Sequence, residues 1–544
     1  EFHLVSYKIK EQLQDKQGMT ISLGAISEIC VLAGDTALAV EYINYQYQLA
    51  EEIGDKRAIA SALSYAGHIH FMRGDFEEGE KHCKKSLEIA EQIGSQIIIR
   101  GALTNLFLGY LQFEQYDKAE PILNRLVEIR HRDIKINFAI LGEQQKEMYF
   151  NTMKEEFQNL FAYGHLVVNQ QPEITTQLYD NSLLLKGLLL QSTTAMREAI
   201  LSSKDEKLVA KYDEWIGIKS TIADAYAKSL PTEELEEQAN KLEQELVKKS
   251  ASFSDFQHEK SRSWKEVQAK LSAKEAAVEF IRYPLNLGDP DSPIVYSALV
   301  VKPNSKQPEL IDLCTEDELA EVLGGVSANN LSFVQSVYGT NENQQQKLSQ
   351  LIWSPIESSL KDINKLYFAP DGLLHKIAFA AIQTKDDQLL CDRLELAQMS
   401  STSQLLKQQD FELSSTQTAT LFGGVKYHTD SSEHVIWNYL PGTLKEIDSI
   451  HAIIAPHINS NLYKAYEASE ANFKTIAANS HILHIATHGF FYPDPEVIRK
   501  ETKTEMDQED LSFRGGASNY GIWNFVNNEN PLMRSGLALA GAND

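Results

Sequence analysis

The feature that most limits how this chain can fold is a 40-residue period in its first quarter. Gly34-Asp35, Gly74-Asp75 and Glu114-Gln115 each stand just ahead of a run with helical apolar spacing. Ile9-Lys-Glu-Gln-Leu13, Leu49-Ala-Glu-Glu-Ile53 and Ile89-Ala-Glu-Gln-Ile93 recur at the same interval, as do Ser22-Leu23, Ala62-Leu63 and Ala102-Leu103. One helical hairpin cannot bury its own apolar face. Stacked copies can, and small residues at the crossings let the helices approach. Residues 1–130 are therefore expected to form a helical solenoid whose curved face offers a groove to a protein partner. From 131 to 262 the helical pattern continues while the period fades, as in an irregular connector. Within it, Leu183 to Leu190 is apolar except at Lys186-Gly187 and predicts one helix buried on most sides.

The pattern changes from residue 263 onward. Strands are expected at Ala276–Ile281, Ile294–Val301, Glu309–Leu313, Lys365–Ala369, Ala419–Gly423, Leu462–Tyr466 and Ile482–Ala486. Helices are expected around Glu316–Leu323, Gln344–Leu360 and Leu444–Ile454, with another opening at Ser469-Glu470. Alternating strands and helices imply a mostly parallel sheet covered on both faces. The fold class is α followed by α/β, with the α/β domain spanning 263–544. The strand Ile482–Ala486 ends in Thr487-His488-Gly489. Ligand crevices of such sheets lie beyond the carboxyl ends of the strands, so His488 stands where chemistry would be done. Gly423-Gly424 reads as a lone turn after a strand, and the polar stretch Tyr492–Tyr520 as a mobile loop.

Composition narrows the function. A formal charge of −25 argues against a general nucleic-acid or anionic-membrane binder. No apolar run reaches a membrane-spanning length, and no signal peptide opens the chain. Cys30, Cys83, Cys314 and Cys391 are widely spaced, which reads as reduced thiols in a cytoplasmic protein. His481, His484 and His488 do not suit a metal, because strand alternation turns His481 and His484 to opposite faces. No glycine-rich phosphate loop occurs, so no cofactor is expected.

The word His481-Ile-Leu-His-Ile-Ala-Thr-His-Gly-Phe-Phe491 resembles the histidine motif of CHAT peptidases, caspase-like clan CD cysteine proteases. Four further words fit in order: Ala369-Pro-Asp-Gly to Ile382, Leu440-Pro-Gly-Thr to Ile447, Ala465-Tyr-Glu-Ala-Ser-Glu470 and Asn530-Pro-Leu-Met-Arg-Ser-Gly to Asn543. The repeats resemble tetratricopeptide repeats of the longer variety. The resemblance implies a caspase-like fold, with His488 as acid/base and the Gly489 N–H as a candidate oxyanion donor. Ala486 and Thr487 would shape the pocket wall. It also implies a nucleophilic cysteine on a later strand; no cysteine follows His488, and that strand is expected beyond Asp544. Both termini look cut.

The function expected by resemblance is a regulated cysteine endopeptidase acting on a protein substrate. Its repeat arm would serve as sensor or docking surface, and relatives of this architecture serve bacterial defence, coupled to an RNA-guided effector or to activation of a pore-forming substrate. The alternative is a catalytically inert repeat scaffold with a protease-like domain that works by binding.

Overall fold

A glycine followed by an aspartate sets the rhythm of the first seven helices. In a computed structural model that describes residues 2–138, 140–227, 230–250, 262–287, 289, 291–323, 342–384, 388–407, 414–428, 437–491 and 534–542, these helices run in sequence. They are Phe2–Gln12 (α1), Lys16–Leu32 (α2), Thr36–Ile53 (α3), Lys56–Met72 (α4), Phe76–Gln92 (α5), Gln96–Gln112 (α6) and Tyr116–Phe138 (α7). Gly34, Gly54, Gly74 and Gly94 all take a positive φ, between those of Gly94 (φ 68) and Gly74 (φ 87). This is the left-handed turn that stops each helix. The next residue is the N-cap of the following helix, and in two cases its side chain caps it: Asp35 Oδ1 accepts the Leu38 N–H at 3.0 Å, and Asp55 Oδ1 accepts the Ala58 N–H at 3.1 Å. In the third repeat Glu114 occupies the left-handed position (φ 56). That explains how Glu114-Gln115 stands in for Gly-Asp. Close crossings depend on small residues, since a β-carbon at Gly67 would lie 2.3 Å from Cys83 Sγ and 2.9 Å from the Gly79 carbonyl oxygen.

The chain divides into two compact units, residues 1–136, 152–178 and 282–295, and residues 137–151, 179–281 and 296–544. Further helices are Glu143–Val167 (α8), Ile174–Leu185 (α9), Leu188–Ser202 (α10), Glu206–Ala227 (α11), Glu233–Ser250 (α12) and Trp264–Lys270 (α13). The single helix expected over Leu183–Leu190 is broken at Gly187, whose left-handed backbone (φ 72) ends α9 and starts α10.

The strands of the second half are Glu275–Pro284 (β1), Ile294–Val301 (β2), Glu309–Thr315 (β3), Lys365–Ala369 (β4) and Glu395–Gln398 (β5), ordered β3-β2-β1-β4-β5. β4 runs parallel to both β1 and β5. The core against this sheet includes Val278, Phe280, Leu366, Phe368 and Trp353. Helices Glu316–Val322 (α14) and Glu342–Leu348 (α15) follow β3. The continuous helix expected to Leu360 instead passes through a π turn at Ser349–Trp353, because Pro355 cannot donate to the ladder.

A buried polar lock joins the end of α9 to this sheet. Glu279 on β1 is fully buried and lies 2.9 Å from Lys186 Nζ, which also donates to the Ala369 carbonyl at 2.6 Å. The Thr402 N–H and hydroxyl donate to the other carboxylate oxygen at 2.6 and 2.7 Å, and Tyr179 in turn donates to Thr402 at 2.8 Å. A buried carboxylate persists only when paired and hydrogen-bonded in this way.

The remaining strands form two further sheets, one of three strands and one of two, instead of extending the first. Thr418–Val425 (β6) lies between Asn459–Ala465 (β7) and Ile482–Ile485 (β8), all parallel. Helix Pro441–Ile454 (α16) crosses β6 at Gly423, where a β-carbon would meet the Thr443 carbonyl oxygen and Ile447 Cγ2, both at 2.8 Å. Gly423 is thus a strand residue selected for close approach. The expected turn is instead a bulge within β6 at Gly424 (φ 58), where the register with β7 shifts between Gly423 and Val425. Helix Glu470–Ile476 (α17) opens with Ser469 accepting the Asn472 N–H at 3.3 Å. Gly489–Phe491 (β9) pairs antiparallel with Ser535–Leu537 (β10). The loop expected at Tyr492–Tyr520 lies outside the described residues.

Candidate active site

The site grows from the carboxyl end of β8. Ile485 pairs with Phe422, and the buried Ala486 extends the ladder by donating its N–H to the Phe422 carbonyl at 2.7 Å. Past that bond the chain leaves the sheet, and His488 stands half-buried at the rim. Its ring lies between two aromatic rings, with centroids 5.1 Å from Tyr427 and 5.2 Å from Trp437. His488 Nε2 is 2.8 Å from the Asn438 carbonyl oxygen. A carbonyl can only accept, so Nε2 carries the hydrogen and, in the neutral ring, Nδ1 carries the lone pair. One nitrogen orients the imidazole, and the other keeps a lone pair able to accept a proton.

The segment around the histidine is held by a relay of hydroxyls. The Thr487 hydroxyl donates to the Ala538 carbonyl. With its one hydrogen spent there, it must accept from the Tyr427 hydroxyl, 2.8 Å away. Burial pushes the Tyr427 phenol above its ordinary value, opposed by the Thr487 hydroxyl and the His488 backbone N–H. Thr487 therefore clamps the segment to the residue after β10. Ala486 is buried among Leu421 and Ile447.

The Ala538 N–H donates to the His488 carbonyl at 2.9 Å. In an antiparallel ladder bonded and non-bonded pairs alternate, so the next pair, Gly489 with Leu537, is a non-bonded one. The Gly489 N–H then faces away from β10. A β-carbon at Gly489 would meet the Gly536 carbonyl oxygen at 3.6 Å and Leu537 Cδ2 at 3.7 Å. These are ordinary contacts, so packing among the described residues does not itself demand glycine.

The other two histidines have separate partners. His481 Nδ1 accepts the Thr418 N–H at 3.2 Å, and His484 Nε2 lies 3.1 Å from Glu446 on α16. Among the described residues no group of three or more His, Cys, Asp or Glu is placed to hold a metal ion. Cys30, Cys83 and Cys314 are buried, and burial pushes the Cys83 and Cys314 thiols up to about 12. Cys391 is exposed but belongs to the surroundings of β5, not of β8. Tyr427, Trp437 and the Asn438 carbonyl were not legible as site residues. The two aromatics belong to no motif in the sequence, and a main-chain carbonyl has no side-chain signature.

No helix among the described residues is long and apolar enough to cross a membrane. No curated protein matches the chain at a significant level. Residues 58–131 match a family model described as a tetratricopeptide repeat, and residues 342–544 match that of the CHAT domain, which is related to caspase-like cysteine peptidases. The chain thus joins a tetratricopeptide-repeat region to a CHAT domain.

Proposed function

We propose that the protein is a regulated caspase-like cysteine endopeptidase in which His488 is the acid/base. The observation that carries this reading is the His488–Asn438 contact at the carboxyl edge of a parallel sheet. It fixes one tautomer and leaves Nδ1 to accept a thiol proton. The thiolate sulfur would bond to the scissile carbonyl carbon while the carbonyl π pair moves onto oxygen, where the Gly489 N–H would donate. Collapse would expel the amine, which takes the proton from the imidazolium, and water would then hydrolyse the thioester. Cys30, Cys83 and Cys314 are buried and Cys391 lies just ahead of β5, so none of the four is proposed as the nucleophile. The repeat arm would dock a protein partner or the substrate, and an RNA-guided effector in bacterial defence is the partner class the architecture suggests.

The test is His488→Ala in the full gene product. Substrate cleavage should vanish while the far-ultraviolet spectrum and melting temperature stay as in the parent; cleavage that persists sinks the assignment. The placement of the four cysteines favours one competing reading, an inert scaffold that binds through its repeats. Partner capture without any proteolysis by the full gene product would support it.

A further inference from the structure

Arg534 stands immediately before β10, and its side chain is buried at 3 % exposure. A guanidinium does not shed its proton, so a buried one needs a compensating charge nearby. Glu147 provides it, with Oε1 3.8 Å from Arg534 Nη2. Glu147 lies near the start of α8, and that start is tied to three other helices. The Glu143 N–H donates to Glu243 of α12 at 2.6 Å, Lys219 of α11 pairs with Glu143 at 2.7 Å, and Lys146 donates to Ser192 of α10 at 2.6 Å. Where Glu147 sits is therefore set by the helical connector as a whole.

On the other side of the pair, β10 controls the histidine. It is laddered to β9, its following residue Ala538 binds the His488 carbonyl at 2.9 Å, and the Ala538 carbonyl accepts the Thr487 hydroxyl. Ala540 and Gly541 then anchor to the Ala468 and Lys426 carbonyls at 2.9 and 3.4 Å. We infer that Glu147 and Arg534 form a charged joint through which the helical connector fixes β10 and so positions the His488 imidazole. This rests on His488 being the acid/base and adds the means by which the site is regulated. A partner that displaces the start of α8 would break the joint, loosen β10 and move the histidine off Asn438. Arg534 and Glu147 are positioning residues; neither touches substrate.

The test uses the full chain with Glu147→Gln, Arg534→Lys and the reversed pair Glu147→Arg with Arg534→Glu. Two readouts serve: hydrogen exchange of the peptide covering 482–491, and the chemical shifts of the His488 ring by histidine-selective NMR. Glu147→Gln should raise exchange in that peptide about tenfold. It should also shift the His488 ring resonances, because the ring leaves its contacts with Tyr427 and Trp437. Arg534→Lys, which keeps the charge, should change both less, and the reversed pair should bring both back toward the parent. Unchanged exchange and ring resonances in Glu147→Gln would overturn the joint. So would an equal rise of exchange across β1 and β2, which would mean general loosening, or a reversed pair no better than the single variant. If these readouts respond while no substrate is ever cleaved, only the peptidase reading falls. If His488→Ala abolishes cleavage while they stay still, only the joint falls.

Discussion

Tyr427 and His488 lie ring against ring, their centroids 5.1 Å apart and their planes tilted by 55°. The same tyrosine donates through its hydroxyl to Thr487, so one side chain both walls the imidazole and steadies the residue before it. These two roles can be separated by substitution.

Tyr427→Phe keeps the wall and removes the donor, and should cost about 1 kcal/mol of stability with cleavage reduced less than about tenfold. Tyr427→Ala removes both and should cost roughly 3–5 kcal/mol, typical of a large aromatic lost from a core. Urea unfolding of the two variants decides it. Equal costs would mean that the ring contributes nothing beyond its hydroxyl.

Asp180 gives a pH prediction. Its carboxylate oxygen accepts the Trp264 N–H at 2.6 Å, yet burial lifts the group to about 6, with that hydrogen bond opposing the shift. A carboxyl raised above its unfolded value of about 4 favours the fold while protonated. Its contribution is full below that value and is lost as pH rises through about 6. Asp180→Asn keeps an acceptor and cannot ionise. It should flatten the decline in stability between these pH values, by on the order of 1 kcal/mol once screening of the partly exposed group is allowed for. Identical parent and variant profiles in chemical denaturation would refute this.

The lock at Glu279 predicts a strong asymmetry. Lys186→Met strands a buried carboxylate and should cost about 3–5 kcal/mol. Adding Glu279→Gln should recover part of that loss, because an amide oxygen still accepts from Thr402. A double-mutant cycle measures the coupling, and a value near zero would show that the lysine is idle.

The thiols should sort by environment. Iodoacetamide should label Cys391 readily in the folded chain, while Cys83 and Cys314, buried and raised to about 12, stay protected until unfolding. Mass spectrometry of the labelled peptides reads the order. Fast labelling of Cys83 would contradict the tight α4–α5 crossing at Gly67.

What could be read from residues alone was whatever is local and periodic. The 40-residue spacing, the Gly-Asp punctuation and the run Ile482–Ala486 each encode their own geometry. The break at Gly187 was visible as a glycine, but its left-handed φ depends on neighbours. Gly423 reads as a turn in sequence and as a strand in space, because the reason for it is a helix arriving from later in the chain. His488 and Gly489 were found by resemblance. The partners around His488 were not, since Tyr427 and Trp437 come from another part of the chain and Asn438 contributes only its main chain.

Replacing the Asn438 side chain leaves its carbonyl where it was, so a scan of single substitutions would pass over the anchor of the histidine in silence. The next residues along the chain hold that carbonyl in place. Pro441 opens α16. The Thr443 hydroxyl donates to the Leu440 carbonyl at 2.8 Å and accepts the Gly424 N–H at 3.0 Å. Changes that unfasten the histidine should therefore surface at Pro441 and Thr443, neither of which contacts the ring.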